Sequence, residues 1–284
     1  MIRGIYTSAA GMSVMQGRMD IISNNLANVD LNGYKADNAI MKAFPDIQIR
    51  RGNDDGLMAF PLGSYDTMPF VGKLGTGVEL NESFTEFTQG NLKQTYNDFD
   101  FALEGRGFIA VETDQGERYT RNGSFTIDNE GYLVTKDGFK VLTETGEYIK
   151  IKANNFIIDR DGHIYQNNEY ADDDQRLVQR QENEWRETEE IGVLKIVRFP
   201  RERELRREGN SFFYESEFSG SPYIARNEER PVLHQGFIEG ANVNIVNEMV
   251  KMIEVQRSYE ANQKSIQNHD QTLGRIINEV GIVR

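Results

Sequence analysis

The side chains best suited to acid–base or metal chemistry in this sequence are three histidines and a surplus of carboxylates, and neither set is arranged for it. His163, His234 and His269 fall in a turn-rich stretch, a linker and a helical pattern, with none of the short spacings by which chains hold zinc. They read as isolated histidines. Cysteine is absent, which excludes disulfides, thiolate metal sites and cysteine nucleophiles. The carboxylates could supply the pair a glycosidase needs, but their spacing nominates none. Asp172-Asp173-Asp174 could attract a cation weakly, although adjacent acids in a hydrophilic stretch are ordinarily solvated. Gly105-Arg106-Gly107 opens like a dinucleotide fingerprint, yet it runs on through Ala110 into a strand-like stretch where that motif demands a helix. P-loop, metalloprotease, nucleophile-elbow and calcium-loop signatures are missing. The residues thus nominate no catalytic set, no cofactor and no metal, and leave a two-carboxylate glycosidase open; a non-enzyme is the expectation.

What such a chain offers instead is packing surface. The N-terminus carries Ile5, Met12, Met19 and Leu26 seven apart, with Met15, Ile22 and Val29 three residues after the last three of these. The C-terminus carries Ile245, Met252, Tyr259, Ile266, Leu273 and Val280, also seven apart. Repeats of this kind lay one apolar stripe along a helix and favour coiled-coil packing. They predict a helix over 3–27 and a second over about 245–280. Gly4, Gly11 and Gly17 each weaken the first helix by roughly 1 kcal/mol against alanine. Ser8, Ala9, Ala10 and Gly11 would let another helix come close. In the second helix the row four residues on begins with Met249 and ends with Ile277, but Gln256, Gln263 and Asp270 lie between, so that seam is narrow and partly polar. Asn24, Asn25 and Asn28 weaken the end of the first helix. Asn28 is expected to terminate it, and Gly33, next to Tyr34, to turn the chain outward.

Between these ends the pattern changes twice. Residues 36–80 lack a period and hold three of the six prolines, Pro45, Pro61 and Pro69, so they read as an irregular arm. From about 78 the pattern is β. Phe99, Phe101 and Leu103 alternate, Phe108-Ile109-Ala110-Val111 is a compact apolar run, and turns recur at Gly116, Asn122-Gly123, Gly131, Gly138 and Gly162, as in an antiparallel domain. Residues 172–190, with Trp185, are dense in charge and read as a solvated insertion, and Arg201–Glu208 as a solvated loop. The fold class is α+β: an antiparallel β-rich central domain with N- and C-terminal helices pairing as a coiled-coil-like layer. The division is 1–30 and 240–284 for the helices, 31–78 for the arm, and 79–239 for the β-rich domain with a charged insertion at 166–190.

With 45 Asp+Glu against 32 Lys+Arg over 284 residues, the formal charge is −13, which argues against nucleic-acid binding. No apolar run is long enough for a membrane span. Gly4, Ser8, Gly11, Ser13, Gln16 and Gly17 interrupt the apolar core that a cleavable signal would need.

Three blocks then carry a resemblance. Gly4-Ile5-Tyr6-Thr7, Ala10-Gly11-Met12, Asn24-Asn25-Leu26-Ala27-Asn28-Val29 and Gly33-Tyr34-Lys35 form the first. Gly105-Arg106-Gly107-Phe108, Tyr119–Phe125 and Gly131-Tyr132-Leu133 form the second. Gln235–Gly240, Asn242-Val243-Asn244, Glu248-Met249-Val250 and Met252–Asn262 form the third. Together they resemble the bacterial flagellar basal-body rod proteins, proximal or distal, which are related to the hook protein. The resemblance implies a structural subunit that polymerises by its terminal helices into the drive shaft between the motor and the hook. It implies a location in the periplasmic rod of the basal body. It also implies partners: other copies, neighbouring rod and hook subunits, and the type III flagellar export apparatus that delivers it. The rival readings are a secreted β-rich carbohydrate-active enzyme and a binding module.

Overall fold

A computed structural model describes residues 2–52, 59–60, 63–64, 70–151, 156–167, 188–209, 211–226 and 229–280. Asp172–Asp174, Trp185 and most of the expected insertion lie outside the described residues. The chain divides into two compact units, one of residues 1–24, 38–83 and 246–284, the other of residues 25–37 and 84–245.

In the first unit, helix α1 (Ile2–Ala27) runs antiparallel to helix α2 (Ile245–Arg275), which ends in a π turn over Ile276–Val280. Small residues set the contact. The Ser8 hydroxyl donates to that of Ser265 at 3.1 Å. A Cβ added at Gly4 would lie 2.5 Å from the His269 ring, and one at Gly11 would lie 2.9 Å from the Asn262 amide. Gly4 and Gly11, which weaken α1 as a solitary helix, are thus the residues that admit its partner, while Gly17 faces Leu80. Val14 and Val255, beyond these contacts on each helix, are buried. On α2 the half-buried face carries Met252, Tyr259, Ile266 and Leu273, as their spacing predicts. Its second row is not the expected one. Glu248, Val255, Asn262 and His269 turn inward, whereas Met249, Gln256, Gln263, Asp270 and Ile277 are exposed. A row three residues on, not four, completes the inner face, and Asn262 and His269 are accepted there because Gly11 and Gly4 face them.

The expected irregular arm is largely paired strand. Asp37–Ala43 pairs with Val78–Thr85, and Ile47–Arg50 with Phe70–Leu74. In the latter ribbon Ile47 faces Leu74 and Ile49 faces Gly72.

The second unit is built on a nine-stranded antiparallel sheet. Its path runs Phe125–Ile127, Leu133–Thr135, Lys140–Val141, Phe108–Thr113, Gly116–Thr120, Phe212–Tyr214 and Arg206–Glu208, with Ile196–Arg198 also on Phe108–Thr113 and Tyr223–Ile224 beyond it. Within Phe108–Thr113, Phe108–Val111 is buried on both faces, which is why it reads as a continuous apolar run. Ile109 and Val111 enter a core with Phe101, Phe125, Leu133, Ile149, Ile164 and Leu233. Phe108 and Ala110 enter another with Tyr119, Phe199, Leu205 and Phe213. Gly116, Gly131, Gly138 and Gly162 take positive φ at the expected turns. Gly123 does not. It is glycine because the Phe101 carbonyl passes 1.6 Å from where a Cβ would stand. Arg201–Glu208, expected to be solvated, buries Leu205 and half-buries Arg207.

Candidate functional site at the segment junction

Three segments of the second unit, 33–37, 84–90 and 239–242, meet at a group of buried charges. The turn after α1 delivers the first. Leu31 N–H donates to Asn28 O at 3.1 Å, and Gly33 follows with φ +69°. A Cβ at Gly33 would lie 2.4 Å from the Arg121 carbonyl group. Both the backbone conformation and the clearance therefore demand glycine. Gly33 N–H then donates to Glu239 O at 2.7 Å.

Lys35 is fully buried. Its ammonium lies 2.6 Å from Glu239 Oε1 and donates to Thr88 O at 2.7 Å. Glu239 is equally enclosed. Oε1 also accepts Gly90 N–H at 2.9 Å, and Oε2 lies 3.2 Å from Arg121 Nη1. Arg121 donates onward to Gly105 O at 2.6 Å and lies over the Phe108 ring. One carboxylate thus serves two buried cations. Burial pushes the Lys35 ammonium below its ordinary pKa, with Glu239 opposing, and acts likewise on Arg121.

Side-chain amides close the remaining gaps. Asn25 Oδ1 accepts the Tyr34 hydroxyl at 3.1 Å and Asp37 N–H at 2.9 Å, while its Nδ2 donates to Asp37 O at 2.9 Å. Asn242 Oδ1 accepts Ala36 N–H at 2.7 Å, and its Nδ2 donates to Glu86 O at 2.7 Å. Arg207 covers the Tyr34 ring, pairs with Asp37 at 2.9 Å and donates to Lys35 O. Burial raises the Tyr34 hydroxyl, an effect that Arg207 partly offsets. The arrangement pairs its buried groups internally, apart from the Nε atoms of Arg121 and Arg207, which have no hydrogen-bond partner. It positions chain segments.

The residues expected to form an assembly surface separate into groups. Asn25, Gly33 and Tyr34 are buried within this unit, where they fix the turn. Ile5, Met12, Met15, Met19, Leu26 and Asn28 on the first helix and its turn are half-buried, Ile22 is buried and Asn24 is exposed. Met252, Tyr259, Ile266 and Leu273 face inward on α2. Ile245 and Met249 are exposed. The Val280 side chain lies outside the described residues. Lys35, Arg121, Glu239 and Asn242 went unassigned in the sequence, since a buried lysine looks no different there from a surface one. Of the histidines, His163 pairs with Glu190 at 2.6 Å and His234 with Glu104 at 2.7 Å, each well exposed. No metal-holding cluster occurs among the described residues, and no described helix is long and apolar enough to cross a membrane.

Three family models match: flagella basal body rod protein over residues 5–35, the flagellar hook protein FlgE/F/G D1 domain over 102–166, and the flagellar basal body rod FlgEFG protein C-terminal region over 234–279. They cover the turn, the strands with Arg121, and Glu239 with α2. The chain is 35% identical over 283 residues to the flagellar basal-body rod protein FlgG of Buchnera aphidicola, covering 97% of this chain and 99% of that one. It is 30% identical over 283 residues to FlgG of Bacillus subtilis, covering 98% and 99%. It is 29% identical over 270 residues to the rod protein FlgF of Caulobacter vibrioides, covering 94% of each. With the terminal helices in two of the matched regions and Lys35, Arg121 and Glu239 of the junction spread over all three, the chain belongs to the family of flagellar basal-body rod proteins, as a structural subunit of the rod and not an enzyme.

Proposed function

We propose that this subunit polymerises through its terminal helices into the periplasmic drive shaft between motor and hook, after delivery by the type III flagellar export apparatus. One observation carries the reading. Val246, Met249, Val250 and Ile253 on α2 are 68%, 49%, 50% and 51% exposed. Their i, i+3, i+4, i+7 spacing places them on one face of the helix. Ile245, 42% exposed, extends that apolar face. A patch of this size on a helix whose other face is already occupied fits another subunit. The half-buried Met252, Tyr259, Ile266 and Leu273 then hold α2 in place, and the outward face makes the contact. The inner face of α2 and the small residues of α1 make a pair that presents this patch. In a strain deleted for the chain, basal bodies examined by electron microscopy should stop within the rod. Complete hooks and filaments in that strain would refute the reading.

A further inference from the structure

The chain crosses between its two units after residues 24, 37, 83 and 245, and each crossing adjoins the buried junction, which belongs wholly to the second unit. Two of these crossings lead to the chain ends. Anything that holds the protein by α1 reaches the second unit at Asn25, and anything that holds it by α2 reaches it at Ile245. The nearest segments inside are 33–37 and 239–242, and they are bonded to each other. Gly33 N–H donates to Glu239 O at 2.7 Å and Asn242 N–H to Tyr34 O at 3.4 Å. Ala36 N–H donates to Asn242 Oδ1 at 2.7 Å, and Lys35 meets Glu239 at 2.6 Å.

The direction of these segments follows from a third, 84–90, that bonds to both. Lys35 donates to Thr88 O, Glu86 N–H to Ala36 O and the Thr85 hydroxyl to Asp37 Oδ1, so 33–37 runs antiparallel to it. Gly90 N–H donates to Glu239 Oε1 and Asn242 Nδ2 to Glu86 O, so 239–242 runs antiparallel to it too. The segments 33–37 and 239–242 therefore run the same way. Tension through α1 draws the first back toward its N-terminal end, and tension through α2 draws the second on toward its C-terminal end. Parallel segments drawn so slide lengthwise. Their bonds are loaded together, whereas a hairpin opened at its mouth breaks them one by one. Sliding also parts Lys35 from Glu239 where neither reaches water, and an unpaired charge there is expensive.

We infer that the junction is a mechanical clamp: tension entering through the terminal helices is borne in shear by 33–37 against 239–242, with the Lys35–Glu239 pair at the centre. That tension enters by the helices rests on the polymer reading above, in which they hold the subunit in a turning shaft.

A single full-length chain pulled by its two ends in optical tweezers tests this. The clamp guards the 204 residues between Lys35 and Glu239, about 700 Å when extended, so its rupture is recognised by the length it releases. Lys35→Met should speed that rupture at fixed force by roughly 10- to 100-fold, the worth of a charged hydrogen bond. Asn242→Ala cuts the links to Ala36, Glu86 and Thr88 without leaving a charge unpaired. It should speed the rupture as well, and it carries the test if Lys35→Met does not fold. The chain has no cysteine, so Asp137→Cys with Glu217→Cys, both exposed, supplies a second pair of handles. Pulled there, the load runs through the nine-stranded sheet, and neither variant should change the unfolding rate by more than about twofold. Equal acceleration along both directions would make the cluster a stabiliser of the fold and no clamp. An unchanged rate along the ends would show that the junction bears no load. Either result overturns the proposal. The pull needs no rod, so complete hooks in the deletion strain would sink the polymer reading and leave the clamp to be judged by its own result.

Discussion

Glu239→Gln should be the most damaging conservative substitution in the β unit. The carboxylate is 1% exposed and faces two cations, Lys35 at 2.6 Å and Arg121 at 3.2 Å, whose side chains are 0% and 2% exposed. Glutamine keeps the size and can still accept Gly90 N–H, but it leaves both cations buried without an anion. Removing one member of a buried ion pair costs about 3–5 kcal/mol, a large share of a typical domain's total stability of about 5–15 kcal/mol. Lys35→Met is the informative comparison. It removes one of the two cations and leaves Glu239 with Arg121 and Gly90 N–H, so its loss should be nearer the roughly 1.5–3 kcal/mol of a charged hydrogen bond. Urea unfolding of the isolated chain by circular dichroism, with hydrogen exchange at Gly33 and Gly90, would measure both variants. Gly90 N–H donates to the Glu239 carboxylate and Gly33 N–H to its main-chain carbonyl, so loosening of the junction by the unpaired cations should expose both amides before the core strands. The reasoning fails if Lys35→Met is as damaging as Glu239→Gln, or if the glutamine variant loses less than about 1 kcal/mol.

Gly33→Ala should be far worse than Gly138→Ala. Both glycines have positive φ, at 69° and 89°, but a Cβ at Gly33 meets the Arg121 backbone at 2.4 Å whereas Gly138 has nothing within 4 Å; melting temperatures should separate them, with only the roughly 1–2 kcal/mol conformational cost at Gly138. Burial depresses the Lys35 pKa from 10.5, so the unfolded chain binds its proton more tightly and the residue's contribution to stability rises with pH up to that value. Lys35→Met should flatten that rise in urea melts, while the buried and raised Tyr34 and Tyr119 pull stability down above their ordinary 10.0 in both proteins. His163→Ala and His234→Ala remove exposed pairs worth at most about 1 kcal/mol; swimming and rod assembly should be unchanged.

What the residue pattern reveals depends on how far apart the partners lie. Helix α1 was legible because Ile5, Met12 and Met19 repeat locally, and Phe108–Val111 because a strand buried on both faces is apolar throughout. The inward row Glu248–Asn262–His269 was not legible. Asn262 and His269 look like solvent-facing residues until Gly11 and Gly4, on the other helix, are seen opposite them. The same holds at the junction. Lys35 and Glu239 are 204 residues apart and Arg121 lies 118 from Glu239, and no local spacing marks a lysine as buried. The arm's strands were hidden because Ile47–Arg50 and Phe70–Leu74 are exposed on most positions, so no buried face imposes a period of two on the residues. Gly123 was read as a turn since Asn-Gly usually is one. Its actual constraint, the carbonyl of Phe101, is tertiary.

The central claim is that the outward face of α2 joins one subunit to another. Met249→Asp and Val250→Asp place a charge at positions that are about half exposed in the single chain and would be buried on a neighbour, where an unpaired carboxylate is costly. Each variant is measured twice, by melting temperature as a purified chain and by its incorporation into basal bodies beside wild type. The account predicts unchanged melting and lost incorporation. Incorporation at the wild-type level would contradict it, since these two side chains would then have no partner in the rod.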